Sequence, residues 1–141
     1  MSLFETHSKK LSIALMFFQY IEETIKDYLA EVYEIIKIKL RNQIPFKFSY
    51  KSVQNHSLRR LLTKFEKVNS NKDLIDTIDH LIKDRNYCTH RAYIMKFEQL
   101  FNDEFLSAEI KKFKRIIDSS TKCLIRLQME LKKVRKIKSK L

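Results

Sequence analysis

The chain has 141 residues, a net charge of +12, one proline at Pro45, no tryptophan and no glycine, where average usage would supply about ten glycines. That absence excludes a Gly-rich phosphate loop, a dinucleotide fingerprint, a nucleophile elbow and a standard EF-hand loop, and it argues against a fold built on tight β-hairpins. Helices need glycine only at their ends, where Asn or another polar residue can stand in, so length and composition predict a single all-α domain over residues 1–141.

Residues 6–43 read as one long amphipathic helix. Leu11, Leu15, Phe18, Ile25, Leu29, Val32 and Ile36 recur at steps of three, four or seven, and Ala14, Ile21, Tyr28 and Ile35 widen the apolar stripe. Ile44-Pro45 should stop the helix, because the residue before proline disfavours the α region. Residues 46–56 alternate weakly and suit a short extended segment or an irregular loop. Ser57 is placed to cap a helix running to Val68, with Leu58, Leu61, Leu62 and Phe65 on one face.

Asn69-Ser70-Asn71 reads as a turn. Asn71 or Lys72 then opens a helix carrying Leu74, Ile75, Ile78, Leu81 and Ile82, with Asp73, Asp76 and Asp79 near its favourable N-terminal pole. The chain continues through Arg85–Phe97, with a bend expected near 84–88 and Tyr87, Tyr93, Ile94 and Phe97 as core candidates. The last element is the most regular. Leu106, Ile110, Phe113, Ile117, Ser120, Leu124, Leu127, Leu131 and Val134 follow alternating steps of four and three, a heptad seam over about four heptads. A helix over 106–141 would be about 54 Å long, so its end must pack on the long first helix or meet another subunit. The architecture expected is a bundle of about four to five helices with long first and last members.

Charge narrows the partners. Residues 131–141 form a basic helix end with six basic side chains and no acid. Lys132, Lys133, Arg135, Lys136 and Lys138 there, with Arg91, are candidate contacts to a phosphate backbone. Such contacts are sequence-blind and point to nucleic acid as the partner. A solvated helix end at the negative pole of its dipole is the plain alternative. Cys88 and Cys123 lack a metal-type spacing and read as free thiols. The start of the chain lacks the pattern of a signal peptide, and its most apolar stretch, Ile13–Phe18, is too short for a bilayer. A cytoplasmic protein without membrane contact is expected. No H-E-x-x-H motif, Cys/His cluster or D-x-D run is present, so neither a metal nor another cofactor is expected. Asp76, Asp79 and His80 read as a solvated face.

One segment carries reactive chemistry: Arg85-Asn86-Tyr-Cys-Thr-His90-Arg91. A guanidinium can hold a phosphate in a bidentate fork. A neutral imidazole can take the proton from an RNA 2′-hydroxyl, and its protonated form can serve the leaving oxygen. On one ideal helix Arg85 and His90 diverge by roughly 140°. They converge only if the helix bends or starts between them, or if a symmetric partner completes the site.

Arg85-Asn86-x-x-x-His90, preceded by the leucine-rich Leu58-Arg-Arg-Leu-Leu-Thr-Lys-Phe65 segment and an apolar helix, resembles the Arg-x4–6-His motif of the HEPN superfamily (higher eukaryotes and prokaryotes nucleotide-binding domains). The resemblance covers residues 8–130. It implies a dimeric bundle of about four helices and a metal-independent endoribonuclease site at the dimer interface. It also implies a role in toxin–antitoxin or phage-defence systems, with an antitoxin or other regulatory protein partner. By that resemblance Arg85 binds the scissile phosphate, Asn86 orients substrate or histidine, and His90 acts as general base or acid. Some toxin members carry a modifiable tyrosine two residues after the histidine; here that position is Ala92, and Tyr93 follows it. Other members of the superfamily bind RNA or protein without cleaving it, and a non-catalytic basic helical binding module is the alternative expectation.

Overall fold

Two long helices set the frame of the molecule. In the computed structural model α1 spans Leu3–Leu40 and α4 spans Asp103–Ser139, with α2 (Leu58–Phe65) and α3 (Lys72–Tyr93) between them. The structure describes residues 1–93 and 95–141, apart from the side chain of Tyr93. Tyr93 and Ile94 as core residues therefore lie outside what is described. Among the described residues there is no strand, and the fold is an all-helical bundle of four helices with long first and last members.

Each helix starts on a side-chain cap. The hydroxyls of Ser2 and Ser57 accept from the backbone N–H of Glu5 and Arg60. The side-chain oxygens of Asn71 and Asn102 accept from the N–H of Leu74 and Phe105. These bonds satisfy donors that a helix start leaves unpaired. The end of α1 shows what the missing glycine costs locally. Arg41 and Asn42 take the left-handed region at φ 49° and 61°, where glycine is usual. They stop α1 at Leu40, several residues before the expected stop at Ile44-Pro45.

α1 and α4 lie side by side and run parallel. His7 meets Glu109, Thr24 meets Gln128, and Glu31 meets Arg135 and Lys138. The end of α4 thus packs on α1, one of the two outcomes its length requires. A parallel pair needs the chain to return between its members. Residues 41–57 begin this return as an irregular loop with a short 3₁₀ turn at Tyr50–Ser52. Phe46 and Phe48 stack on Tyr33, the Tyr50 hydroxyl donates to Glu23 at 2.8 Å, and Val53 is buried. α3 then runs antiparallel to α4, tied by Asp73–Arg126, Asp84–Arg115 and Arg91–Glu109.

The core is one contiguous cluster drawn from all four helices, with Phe18, Ile21, Ile25, Leu29, Phe65, Ile78, Leu81 and Phe113 at its centre. α4 buries more than its heptad seam. Glu109, Ile116, Cys123 and Glu130, seven residues apart, are all buried, while Ile117 and Leu124 of the seam are only half-buried. The stripe is widened on one side because α3 and α1 flank α4 together. At the turn before α3, Asn69 donates to both the Tyr28 hydroxyl and Glu130 at 3.0 Å, and Tyr28 donates to the Val68 carbonyl. This network links α1, the α2–α3 turn and α4.

Two expectations are corrected. α3 is continuous to Tyr93, with no break at 84–88; the segment has neither proline nor glycine to kink it. Phe97 is not in the core. It is 73 % exposed and stacks on Phe101 in a short 3₁₀ segment, Phe97–Phe101, ahead of α4.

Candidate functional site

The unbroken α3 fixes where its polar side chains can point. Leu74, Ile78, Leu81 and Cys88 form the buried stripe. Asn86 and His90, four residues apart, share the exposed outer face with Lys83. Arg85 lies on the edge turned toward α1. Its Nε donates to Glu22 Oε1 at 3.0 Å, and the arginine side chain retains 34 % exposure. Its terminal nitrogens have no hydrogen-bond partner among the described residues. A cleft of about 250 Å³ opens beside it, lined by Phe18, Gln19, Glu22, Arg85 and Thr89. Within one protomer the structure brings Asn86 and His90 onto one face and leaves Arg85 on another. The five-residue step on a straight helix separates Arg85 from His90 by about 140°.

Arg91 is engaged inside the fold. Its Nε lies 3.2 Å from Glu109 Oε1 and donates to the Tyr87 hydroxyl at 3.3 Å. The guanidinium also sits 5.2 Å from the ring centres of Tyr87 and Phe105. Lys112 also places its ammonium 3.4 Å from the Tyr87 ring centre. Glu109, almost wholly buried, takes a second partner in His7 Nε2 at 3.3 Å, and the His7 ring packs on Phe113. The His7–Glu109–Arg91 cluster joins α1, α3 and α4. Sequence reasoning missed it. His7 does fall four residues before Leu11 on the α1 stripe, and Glu109 belongs to the seven-residue series on α4. These were the available signals.

The basic C-terminal candidates divide into two groups. Lys133 pairs with Glu130 at 3.0 Å, and Arg135 and Lys138 converge on Glu31 at 3.8 and 2.6 Å. Lys132 and Lys136 are exposed and have no ion-pair partner among the described residues. The thiols are chemically quiet. Burial pushes Cys88 and Cys123 up to about 12, so both stay protonated at neutral pH and neither is an activated nucleophile. Cys88 is buried while His90 points outward, so the two do not form a pair.

Among the described residues, no group of three or more His, Cys, Asp or Glu side chains is placed to hold a metal ion. No described helix is long and apolar enough to cross a membrane. Neither a protein-family model, nor a curated protein, nor a solved structure matches this chain.

Proposed function

We propose that this protein is a metal-independent RNA endonuclease of HEPN type whose active site is completed by two protomers, acting as a toxin or phage-defence effector in the cytoplasm. The observation that carries the proposal is the state of the Arg85-Asn86-x-x-x-His90 segment. Asn86 and His90 stand open on one face of α3, and Glu22 holds Arg85 by Nε while its terminal nitrogens remain free to take a phosphate. A guanidinium fixed in that way presents the two donors that match a phosphodiester. The 140° divergence in one protomer is the reason a second copy is required. A two-fold pairing of the α3 faces puts an arginine from one chain against a histidine from the other.

The chemistry balances without a cofactor. Neutral His90 takes the proton of the RNA 2′-hydroxyl, and the 2′-oxygen attacks phosphorus as the bond to the 5′-oxygen breaks. An imidazolium returns a proton to that oxygen. The products are a 2′,3′-cyclic phosphate and a 5′-hydroxyl. Arg85 binds the non-bridging oxygens as negative charge develops on them, and Asn86 orients the substrate or the imidazole. The exposed lysines at the end of α4 supply contacts to the rest of the RNA, and an antitoxin or regulatory protein would restrain the activity.

A second reading has its own observation. Arg85 already has an anionic partner in Glu22, which suits a basic helical module that binds RNA or protein and cleaves nothing. Incubating purified protein with RNA in EDTA separates the two. The endonuclease reading expects cleavage by the wild type and a loss of about 100-fold or more in His90→Ala and Arg85→Ala, the range for a positioned acid–base group. Equal activity in all three proteins would overturn it.

A further inference from the structure

The parallel packing of α1 and α4 brings both of their C-terminal ends to one end of the bundle. Lys37, Lys39 and Arg41 thereby share that end with the cations of residues 132–140. The acids there are few. Glu34 takes Lys37, Glu130 takes Lys133, and Glu31 takes both Arg135 and Lys138. Lys39, Arg41, Lys132, Lys136 and Lys140 are exposed and have no ion-pair partner among the described residues. Lys132, Lys136 and Lys140 follow at four-residue steps along one face of α4. Two helix C-termini contribute only about half a negative charge each, so five free cations leave this end strongly positive.

The opposite landmark is His90. Its neighbour Arg91 is anchored on Glu109. From Glu109 to Lys136 a helix at 1.5 Å per residue climbs about 40 Å. A stiff pair of helices holds the two places at that separation. A rigid ligand of matching length reaches both places without further ordering, whereas a flexible strand loses conformational freedom in doing so. An A-form RNA duplex rises ~2.8 Å per base pair, so 40 Å corresponds to about fourteen base pairs.

We infer that the end of the bundle where α1 and α4 terminate is an RNA-docking surface that grips the phosphate backbone of a duplex. The substrate of the proposed nuclease is accordingly a structured RNA with a stem of about fourteen base pairs or more between the docking surface and the cleavage point. The substrate part rests on the endonuclease reading; the docking surface does not.

The test measures binding by His90→Ala protein, so cleavage does not intervene. The RNAs are a stem of about 14 base pairs with a single-stranded flank, the flank alone, and an unpaired strand of the same total length. The inference expects the stem to bind about ten-fold or more tighter than either other RNA. It also expects Lys132→Gln/Lys136→Gln/Lys140→Gln to reduce the slope of log affinity against log salt by about three. Lys9→Gln/Lys51→Gln/Lys111→Gln removes the same charge from exposed positions away from that end and should leave the slope in place. An equal loss in both triple variants, or equal binding of stem and unpaired strand, would overturn the docking surface. Stem-dependent binding without any cleavage by the wild type would keep the surface and overturn the endonuclease.

Discussion

The two ends of the bundle are built from the same two parallel helices and differ in almost everything else. Where α1 and α4 begin, the acids Glu5, Asp103 and Glu104 sit in the first turns, which suits the positive pole of each helix. Leu3, Phe4, Leu100, Phe101 and Leu106 line a depression of about 400 Å³ beside them, and Phe97 and Phe101 remain more than 70 % exposed. Behind that surface lies the buried His7–Glu109–Arg91 cluster. Where the same helices end, the surface is cationic and the few acids are shared among several lysines and arginines. Parallel packing adds the two dipoles and the two sets of terminal charges instead of cancelling them. The result is a molecule with one apolar, acid-edged pole close to His90 and one basic pole about 40 Å away.

The largest effect expected comes from breaking the buried cluster. Glu109→Ala leaves His7 and Arg91 without their shared partner in a desolvated site and should cost about 3–5 kcal/mol in denaturant unfolding. A loss below about 1 kcal/mol would show that the first end is not held together by that carboxylate. A smaller effect marks the approach to the basic end. Burial raises the Glu130 carboxyl, but hydrogen bonds from Asn69 and Lys133 outweigh it and hold the group below its ordinary value of 4.5. A lowered pKa gives stability that is present above about pH 4.5 and is lost as pH falls through the folded-state value. Glu130→Gln should therefore cost about 1–2 kcal/mol at neutral pH and flatten the acid side of the stability curve. An unchanged acid slope would contradict the assignment.

Ser120 offers a change of the opposite sign. It is fully buried in the α4 seam, and its hydroxyl has no hydrogen-bond partner among the described residues. Removing an unsatisfied buried hydroxyl should raise stability by about 1 kcal/mol in Ser120→Ala; a clear loss would reveal a partner for it. The smallest effect belongs to the apolar pole. Phe97→Ser and Phe101→Ser should each change the stability of the isolated chain by less than about 0.5 kcal/mol, since neither side chain is in the core. A loss several times larger would mean that this end is covered.

The sequence made the helices legible and left their mutual placement obscure. The three–four spacing found α1 and α4, and Ser57 marked a helix start as capping residues do. Glu109 and Glu130 were invisible as buried groups because a carboxylate on an amphipathic helix reads as solvent-facing. The partners that permit their burial, His7 and Asn69, lie 102 and 61 residues away. The parallel run of α1 and α4 was equally hidden, since a heptad seam does not state direction. Local composition could not show that Phe97 is exposed, because an aromatic residue at a helix-like spacing reads as core. At the site, the residue types of Arg85, Asn86 and His90 were readable, but their facing was not. The expected bend in α3 answered a geometric need of the chemistry, and the segment contains no residue that would produce one. That need now falls on a second protomer.

Mixing two inactive variants tests this most directly. Arg85→Ala and His90→Ala proteins are incubated together to allow subunit exchange, and RNA cleavage in EDTA is followed. A site that takes its arginine and histidine from different chains predicts no cleavage by either variant alone and recovery to about a quarter of wild-type activity in the mixture, from the one intact site in each mixed dimer. Active wild type with no recovery after demonstrated exchange, or a wild type that cleaves no RNA, would contradict it.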